Sequence, residues 1–523
     1  IDTFINNFIV FKPGHIMNFN LKAILTLSKD VGSKKNEISG FIDILNKNIL
    51  SKGAPEGKGA RITKWSIEKD LFSLNIVSEQ FVRAHDAVAR IKKAFGEHLG
   101  KKLAAGVRSI AVPFYEINFE LEQEPKNENI TIPFTDSVKL KGKHCTIILK
   151  DVTEEILLEN YVDRMIKLVK EKVNAQYYEG KGEHWELMWN SEKKKPVWDK
   201  DPSEEMLKLG WIKQGPTKGK WFFNPQAAAI LRAMENIAVN EVLKPLGFQE
   251  VIEPHHVPFE VWLKTGHLEG MPHEIYYVSE PTTRDAKEWE HFRDYIKIAK
   301  KVPVDELKKL IATPTAGICY AQCPVMYWSL AGETIANDSL PVFIYDKTAI
   351  SNRYESGGRH GIERVDEFHR IEPVYIGTPE QMLEIKDKLI ESYKHVFNDI
   401  LELEWRMAWV TPFYMQQAGQ VGVDDATSKR IKGTIDFEAY LPYRGDREKS
   451  EWLEFQNLSV VGDKYTKAFN IKSQKGEIWS GCSGIGLERW TAAFLAQKGL
   501  DLKHWPAKFR ERIKEIPKGI KVF

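Results

Sequence analysis

Ser351-Asn-Arg-Tyr-Glu-Ser-Gly-Gly-Arg-His-Gly-Ile-Glu-Arg-Val-Asp-Glu-Phe-His-Arg-Ile-Glu-Pro373 lies between two apolar, β-rich runs, Pro341-Val-Phe-Ile-Tyr345 and Val374-Tyr-Ile376. Glycines and cations fill the middle, which predicts two antiparallel strands joined by a long loop. Arg353 and Glu355 are two apart, so on a strand they project from one face. An arginine fork beside a carboxylate suits a phosphate next to a hydrogen-bond donor such as an amino-purine edge. Taken alone, the stretch reads equally as a surface hairpin with ordinary salt bridges. The rest of the chain decides between the two.

The 523 residues are 42% hydrophobic and 28% charged, the composition of a soluble globular protein of roughly two to four domains. A net charge of +2 is too balanced to argue nucleic-acid binding from total charge. Four cysteines in so long a chain suggest reduced thiols in the cytosol, buried or available to metal, rather than a disulfide scaffold. No apolar run approaches the ~20 residues that span a bilayer. A cytoplasmic enzyme with no membrane partner is expected. The apolar segment 1–16 has no charged start or small-residue cleavage site, and it is set aside as a candidate leader.

From Met17 the pattern becomes regular. Met17–Ser28 alternates in strand fashion, and Glu37–Leu50 has helical spacing. Arg61–Val77 alternates again, and Phe81–Leu103 is helical and basic. Val107–Glu122 and Ile130–Leu149 read as strands, and Glu154–Gln176 as a helix. The order β-α-β-α-β-β-α predicts an α+β domain over 17–178 with a largely antiparallel sheet. Arg83, Arg90, Lys92, Lys93, Lys101 and Lys102 make its basic helix either a phosphate-contact surface or a solvated face. The segment 179–223, rich in Gly, Lys, Trp and Pro, reads as a linker with one short helix, Glu204–Leu209. A second domain covers 224–523. It opens with an Ala-rich helix with Pro225 at its start, and a charged helical insertion falls at about 281–312.

The other informative stretch is Trp479-Ser-Gly-Cys-Ser-Gly-Ile-Gly-Leu-Glu-Arg-Trp490. Its glycines superficially suggest a dinucleotide fingerprint, but no βαβ unit with a second acidic strand follows. Instead they let the backbone approach a flat ligand and place Arg489 in the first turn of a helix. There it can lie over an adenine ring and reach a terminal phosphate.

With Leu246-Gly-Phe-Gln-Glu-Val-Ile-Glu-Pro254, Arg353-Tyr-Glu355 plus Phe368-His-Arg-Ile-Glu372, and Gly484-Ile-Gly-Leu-Glu-Arg489 in that order, the chain from about Asn224 onward resembles the class II aminoacyl-tRNA synthetases. Ala321-Gln-Cys-Pro324, Glu372, Ser480-Gly-Cys482 and Met415-Gln-Gln417 narrow the resemblance to the atypical, zinc-dependent seryl-tRNA synthetases of methanogenic archaea. An ordinary seryl enzyme begins with a long coiled coil, and no sustained heptads appear here.

The resemblance implies an α+β fold: a class II catalytic domain, an antiparallel sheet flanked by helices, preceded by a smaller α+β tRNA-binding domain. It implies ATP-dependent activation of L-serine to seryl-adenylate and transfer to tRNA(Ser) by a cytoplasmic homodimer. Cys323, Glu372 and Cys482 become ligands of one Zn(2+) per subunit. From the residues alone, Cys482 reads as a core thiol and Cys319 with Cys323 as a Cys-x-x-x-Cys metal pair; the resemblance makes Cys319 a buried cysteine instead. Arg353, Glu355 and Arg489 become catalytic. These three, with Arg364, Glu454 and Asn457, become the site for ATP and Mg(2+). Gln417 takes the serine hydroxyl, with Gln416 its competitor, and Glu372 also lines the serine site. His267, Glu269, His360 and His369 stay outside the site. A threonyl enzyme, or a paralogue that charges no tRNA, is the alternative. Threonyl enzymes hold zinc with histidine-rich ligands, and the motif arginines present here favour activity.

Overall fold

The computed structural model describes residues 17–177, 185–355, 358–410, 433–448 and 450–519. The chain divides into two compact units, Ile1–Gly182 and Glu183–Phe523.

The first unit is a six-stranded antiparallel sheet with the order Arg61–Glu68, Leu71–Glu79, Met17–Leu27, Val107–Glu120, His144–Leu149, Thr135–Lys141. Its central strand Met17–Leu27 buries every second residue, and Leu21, Ala23, Leu25 and Leu27 are completely buried. Each such leucine is worth about 2 kcal/mol of transfer free energy. Two expected strands are hairpins. Arg61–Val77 folds back at Lys69, whose φ is 55°, and Ile130–Leu149 folds back at Gly142, with φ 56°. Lys69-Asp70 is not a common hairpin turn pair, so alternation alone could not reveal the reversal.

The basic helix is Ala84–Phe95, extended by Gly96–Gly100 and Lys101–Leu103. Three of its cations hold partners within the unit. Arg83 pairs with Asp163 at 3.0 Å, Lys92 pairs with Glu154, and Arg90 donates to the carbonyls of Ile49 and Lys52. Lys93 and Lys102 stay exposed.

The second unit is built on a nine-stranded sheet. From one edge the strands run Gln249–Glu250, Val342–Asp346, Glu367–Gly377, Trp479–Gly486, Leu453–Gly462, Gly433–Ala439, Trp405–Val410 and Trp185–Asn190, with Ile350–Asn352 paired beside Glu367–Gly377. All pairs are antiparallel except the first. One face packs an aromatic core in which Phe397 meets Phe455 at 4.8 Å, Trp490 at 5.0 Å and Trp405 at 5.2 Å. Arg406, Glu438 and Glu454 are aligned across three strands, and strand alternation places them off that core face. The expected Ala-rich helix is Pro225–Ile237, continued by Ala238–Leu243. Helices Glu290–Ala299 and Val304–Leu310 form an insertion that buries no side chain within the unit.

The linker reading of 179–223 is corrected over its described part. Trp185–Asn190 is the terminal strand of the large sheet, paired with Trp405–Val410. The expected short helix is Pro202–Lys208, capped by Asp201, and Ile212–Gln214 with Trp221–Phe223 is a hairpin. The misleading signal was composition. The lysines lie at the surface, while Trp198 donates its indole N–H to the Leu495 carbonyl at 2.8 Å.

Candidate active site

Strand Glu367–Gly377 carries the site. It pairs with Val342–Asp346 in the register Val342↔Ile376 and Asp346↔Glu372, and with Trp479–Gly486 so that Val374 faces Cys482. Cys323 opens helix Cys323–Ser329, where Pro324 fixes the first turn. These three segments bring one ligand atom each of Cys323, Glu372 and Cys482 within 4.8 Å of one another, all buried. Cys319 instead points at Glu253, Sγ to Oε1 3.8 Å, and is not part of the cluster.

Glu372 is oriented by two groups that sequence reading missed. The backbone N–H of Gln322 donates to its Oε2 at 3.1 Å, and Arg370 Nε lies 3.0 Å from the same oxygen. Its Oε1 is buried with no hydrogen-bond partner among the described residues. A hydrogen bond with Cys482, then burial, pushes the Cys323 thiol well above the ordinary range. A cation between the sulfurs removes that penalty, because thiolates are its ligands. Arg370 was legible only as one of several arginines. The alternation that puts it on the side of Glu372 was the available signal.

The residues ahead of strand Glu367–Gly377 form a loop. Arg353 and Glu355 lie just past strand Ile350–Asn352 rather than on it, yet their side chains meet, Nη2 to Oε2 at 2.9 Å. Phe368 lies beneath the Arg353 guanidinium, 5.6 Å from ring centroid to Cζ. Asp366 organises this corner. It takes a forked pair from Arg359 at 2.9 and 2.7 Å, the Glu355 N–H at 3.0 Å and the Tyr276 hydroxyl at 2.9 Å. Its own carbonyl accepts the Arg353 N–H at 2.9 Å. Gly219 has φ +80°, and a Cβ there would lie 2.7 Å from Arg359 and 2.9 Å from Asp366. Nothing but glycine fits this approach.

Arg489, in the first turn of helix Leu487–Lys498, donates from Nε to the Glu363 carbonyl at 3.1 Å and from Nη1 to Glu454 Oε2 at 3.0 Å. Arg353 and Arg489 border one small cleft. Asn457 accepts the Gly484 N–H at 3.0 Å, so it shapes the glycine turn. Arg364 pairs with Glu451 at the loop's outer side. Gln416 and Gln417 lie outside the described residues.

The histidines left out of the site have structural partners. His267 contacts Thr265 Oγ1 at 2.8 Å, and burial pushes it down to about 3. His369 sits 2.7 Å from Glu488.

A model of a tRNA-binding domain matches residues 17–171. A type-2 serine–tRNA ligase of Methanococcoides burtonii is 48% identical over 97% of this chain and 99% of its own length. That of Methanothrix thermoacetophila is 45% identical over 97% and 100%. Among solved structures, a complex of M. kandleri SerRS with A. aeolicus tRNASec contains a chain that matches with TM-score 0.84 and 29% identity. The match covers 97% of this chain and 99% of that one.

Proposed function

The chain belongs to the type-2 serine–tRNA ligases, and from that membership we propose that it selects serine at a zinc centre held by Cys323, Glu372 and Cys482. It is a class II aminoacyl-tRNA synthetase that activates serine with Mg-ATP and charges tRNA.

The observation that carries the zinc reading is the buried triad, with its unpartnered carboxylate oxygen on Glu372. Two sulfurs and a carboxylate fit a three-ligand zinc site. Zinc held there supplies an open coordination position for the neutral α-amine of serine.

The remaining chemistry is positioning and electrostatics. Arg353 offsets the charge that grows on the α-phosphate as the serine carboxylate attacks it. Glu355 accepts from the adenine amino group. Arg364 and Arg489 hold the outer phosphates, and Glu454 with Asn457 orients Mg(2+). Gln417 takes the serine hydroxyl. No side chain serves as a nucleophile. Arg353 and Glu355, already in contact at 2.9 Å, support this assignment.

The domain over 17–178 grips tRNA(Ser), a reading supported by its tRNA-binding family match and by the tRNA complex of the M. kandleri relative. A homodimer is supported by the short edge strand Gln249–Glu250 and by Ile252, which is 79% exposed beside it. Four free buried cysteines favour the cytoplasm. Among the described residues, no helix is long and apolar enough to cross a membrane.

Amino-acid-dependent ATP–pyrophosphate exchange tests the proposal. Serine supports exchange, a strong chelator abolishes it, and added zinc restores it. Exchange that survives metal removal would overturn the zinc reading.

A further inference from the structure

The tip of the loop before strand Glu367–Gly377 contains a buried polar cluster that the serine and adenine contacts do not use. Glu363 has no exposed side-chain surface. Its Oε1 accepts from His360 Nδ1 at 2.6 Å, the Tyr443 hydroxyl at 2.8 Å and Arg444 Nη2 at 3.0 Å. The backbone is pinned as well. His360 and Arg364 exchange both main-chain hydrogen bonds, at 3.0 and 2.9 Å. Ile362 donates to Ser203 Oγ at 3.0 Å, and Trp221 donates to the Gly361 carbonyl at 2.6 Å. Gly361 has φ +48°, and a Cβ there would lie 2.3 Å from Glu363 Oε2 and 2.4 Å from Ser203 Oγ. The turn therefore closes only with glycine.

A buried carboxylate costs several kcal/mol unless donors compensate it. Here donors from the loop and from the segment Pro442–Arg444 converge on one oxygen, so removing the charge loosens both. The same residue's carbonyl accepts the Nε–H of Arg489 at 3.1 Å.

We propose that Glu363 is a positioning residue for nucleotide binding: its carboxylate braces the loop tip so that its carbonyl orients Arg489 and the next residue, Arg364, leaves the loop in a fixed direction. Glu363 touches no substrate and acts through Arg489, and the inference rests on the assignment of Arg489 to the ATP phosphates.

His360 makes the brace sensitive to pH. Its Nε2 faces Asp201 Oδ2 at 3.5 Å, opposite its bond to Glu363. The hydrogen bond to Glu363 raises its pKa, burial and Arg444 oppose that, and Asp201 adds to it. Tyr443 and Arg444 face the same carboxylate, and Glu451 lies 3.5 Å from Arg444. The brace is strongest with His360 protonated and weakens as pH rises through the raised pKa.

Glu363→Gln keeps the shape and removes the charge. In ATP–pyrophosphate exchange its KM for ATP is expected to rise about tenfold with the KM for serine within about twofold. The wild type's rise in ATP KM between about pH 6 and pH 8.5, which brackets a raised histidine pKa, should be flattened in the variant. Arg489→Ala is measured alongside. If that variant raises the ATP KM and Glu363→Gln does not, the positioning role is wrong and the ATP assignment stands. If Arg489→Ala leaves the ATP KM unchanged, the assignment fails and the inference with it. Should Glu363→Gln fail to fold, Tyr443→Phe removes one donor and is expected to raise the ATP KM about threefold. Equal shifts for ATP and serine, or none, would overturn the proposal.

Discussion

The two ends of strand Glu367–Gly377 are held in different ways. At the end proposed to hold metal, Glu372 and Cys482 sit on paired central strands and Cys323 in the first turn of a helix, so backbone ladders and burial set their positions. At the end proposed to hold the nucleotide, Arg353, Glu355 and Arg364 sit on a loop and depend on side-chain hubs, Asp366 and Glu363, backed by Gly219 and Gly361. The metal end should therefore fail by loss of a ligand, and the nucleotide end by loss of support. A loop site also permits movement as substrates enter and products leave.

The largest effect expected from breaking this contrast is at the metal end. Cys482→Ala should lower serine-dependent exchange by about a thousandfold or more, because a two-ligand site holds zinc poorly. Metal analysis should show its zinc lost, while ATP still binds by calorimetry. At the nucleotide end, Asp366→Ala frees Arg359 and the Glu355 N–H together. The KM for ATP should rise about thirtyfold, with zinc content unchanged, since charge-assisted hydrogen bonds are worth about 1.5–3 kcal/mol. A drop in zinc content would show the two ends to be coupled.

A third variant leaves both ends intact. Lys93→Glu with Lys102→Glu, on the exposed side of the basic helix, should reduce charging efficiency about tenfold. Exchange should stay at the wild-type rate, and charging by the variant should fall with added salt less steeply than charging by the wild type, so that the gap narrows. Equal charging by both proteins would move the tRNA contact elsewhere.

The smallest effect concerns stability. His369 is half-buried, and desolvation lowers its pKa, but the hydrogen bond to Glu488 and the charge of that carboxylate together outweigh it and the net shift is upward. A raised folded pKa stabilises fully below the unfolded value of about 6.5 and is lost as pH rises through the folded value. The Tm difference between wild type and His369→Gln should therefore be largest near about pH 6 and shrink in alkaline buffer. A difference independent of pH would assign His369 a packing role only.

Much of the architecture was legible because it follows short-range rules. Alternation marked Met17–Leu27, and Pro225 marked the helix start. The contact between Arg353 and Glu355 was legible from their spacing of two, although both lie past the strand that was expected to carry them. The metal triad was not legible from spacing. Its members come from three distant segments, and nearby Cys319 competed for the role from sequence, whereas in the structure its sulfur faces Glu253. Asp366 and Glu363 were in plain view as two more acids in a charged loop. Their importance comes from donors such as Tyr276 and Tyr443, whose approach depends on the tertiary fold. The strand Trp185–Asn190 escaped notice because a surface edge strand has no continuous apolar signature.

The distance in sequence between Cys323, Glu372 and Cys482 has a further consequence. A metal joining them closes two long loops of chain, as a crosslink does, and so takes most entropy from the unfolded ensemble. The three groups meet only after the helix has docked on the completed sheet, so tight metal capture belongs to the folded unit and not to any fragment of it. Metal loading at the proposed site would thus report completion of the fold. It ties the enzyme's lifetime to the same ion that we propose selects its amino acid.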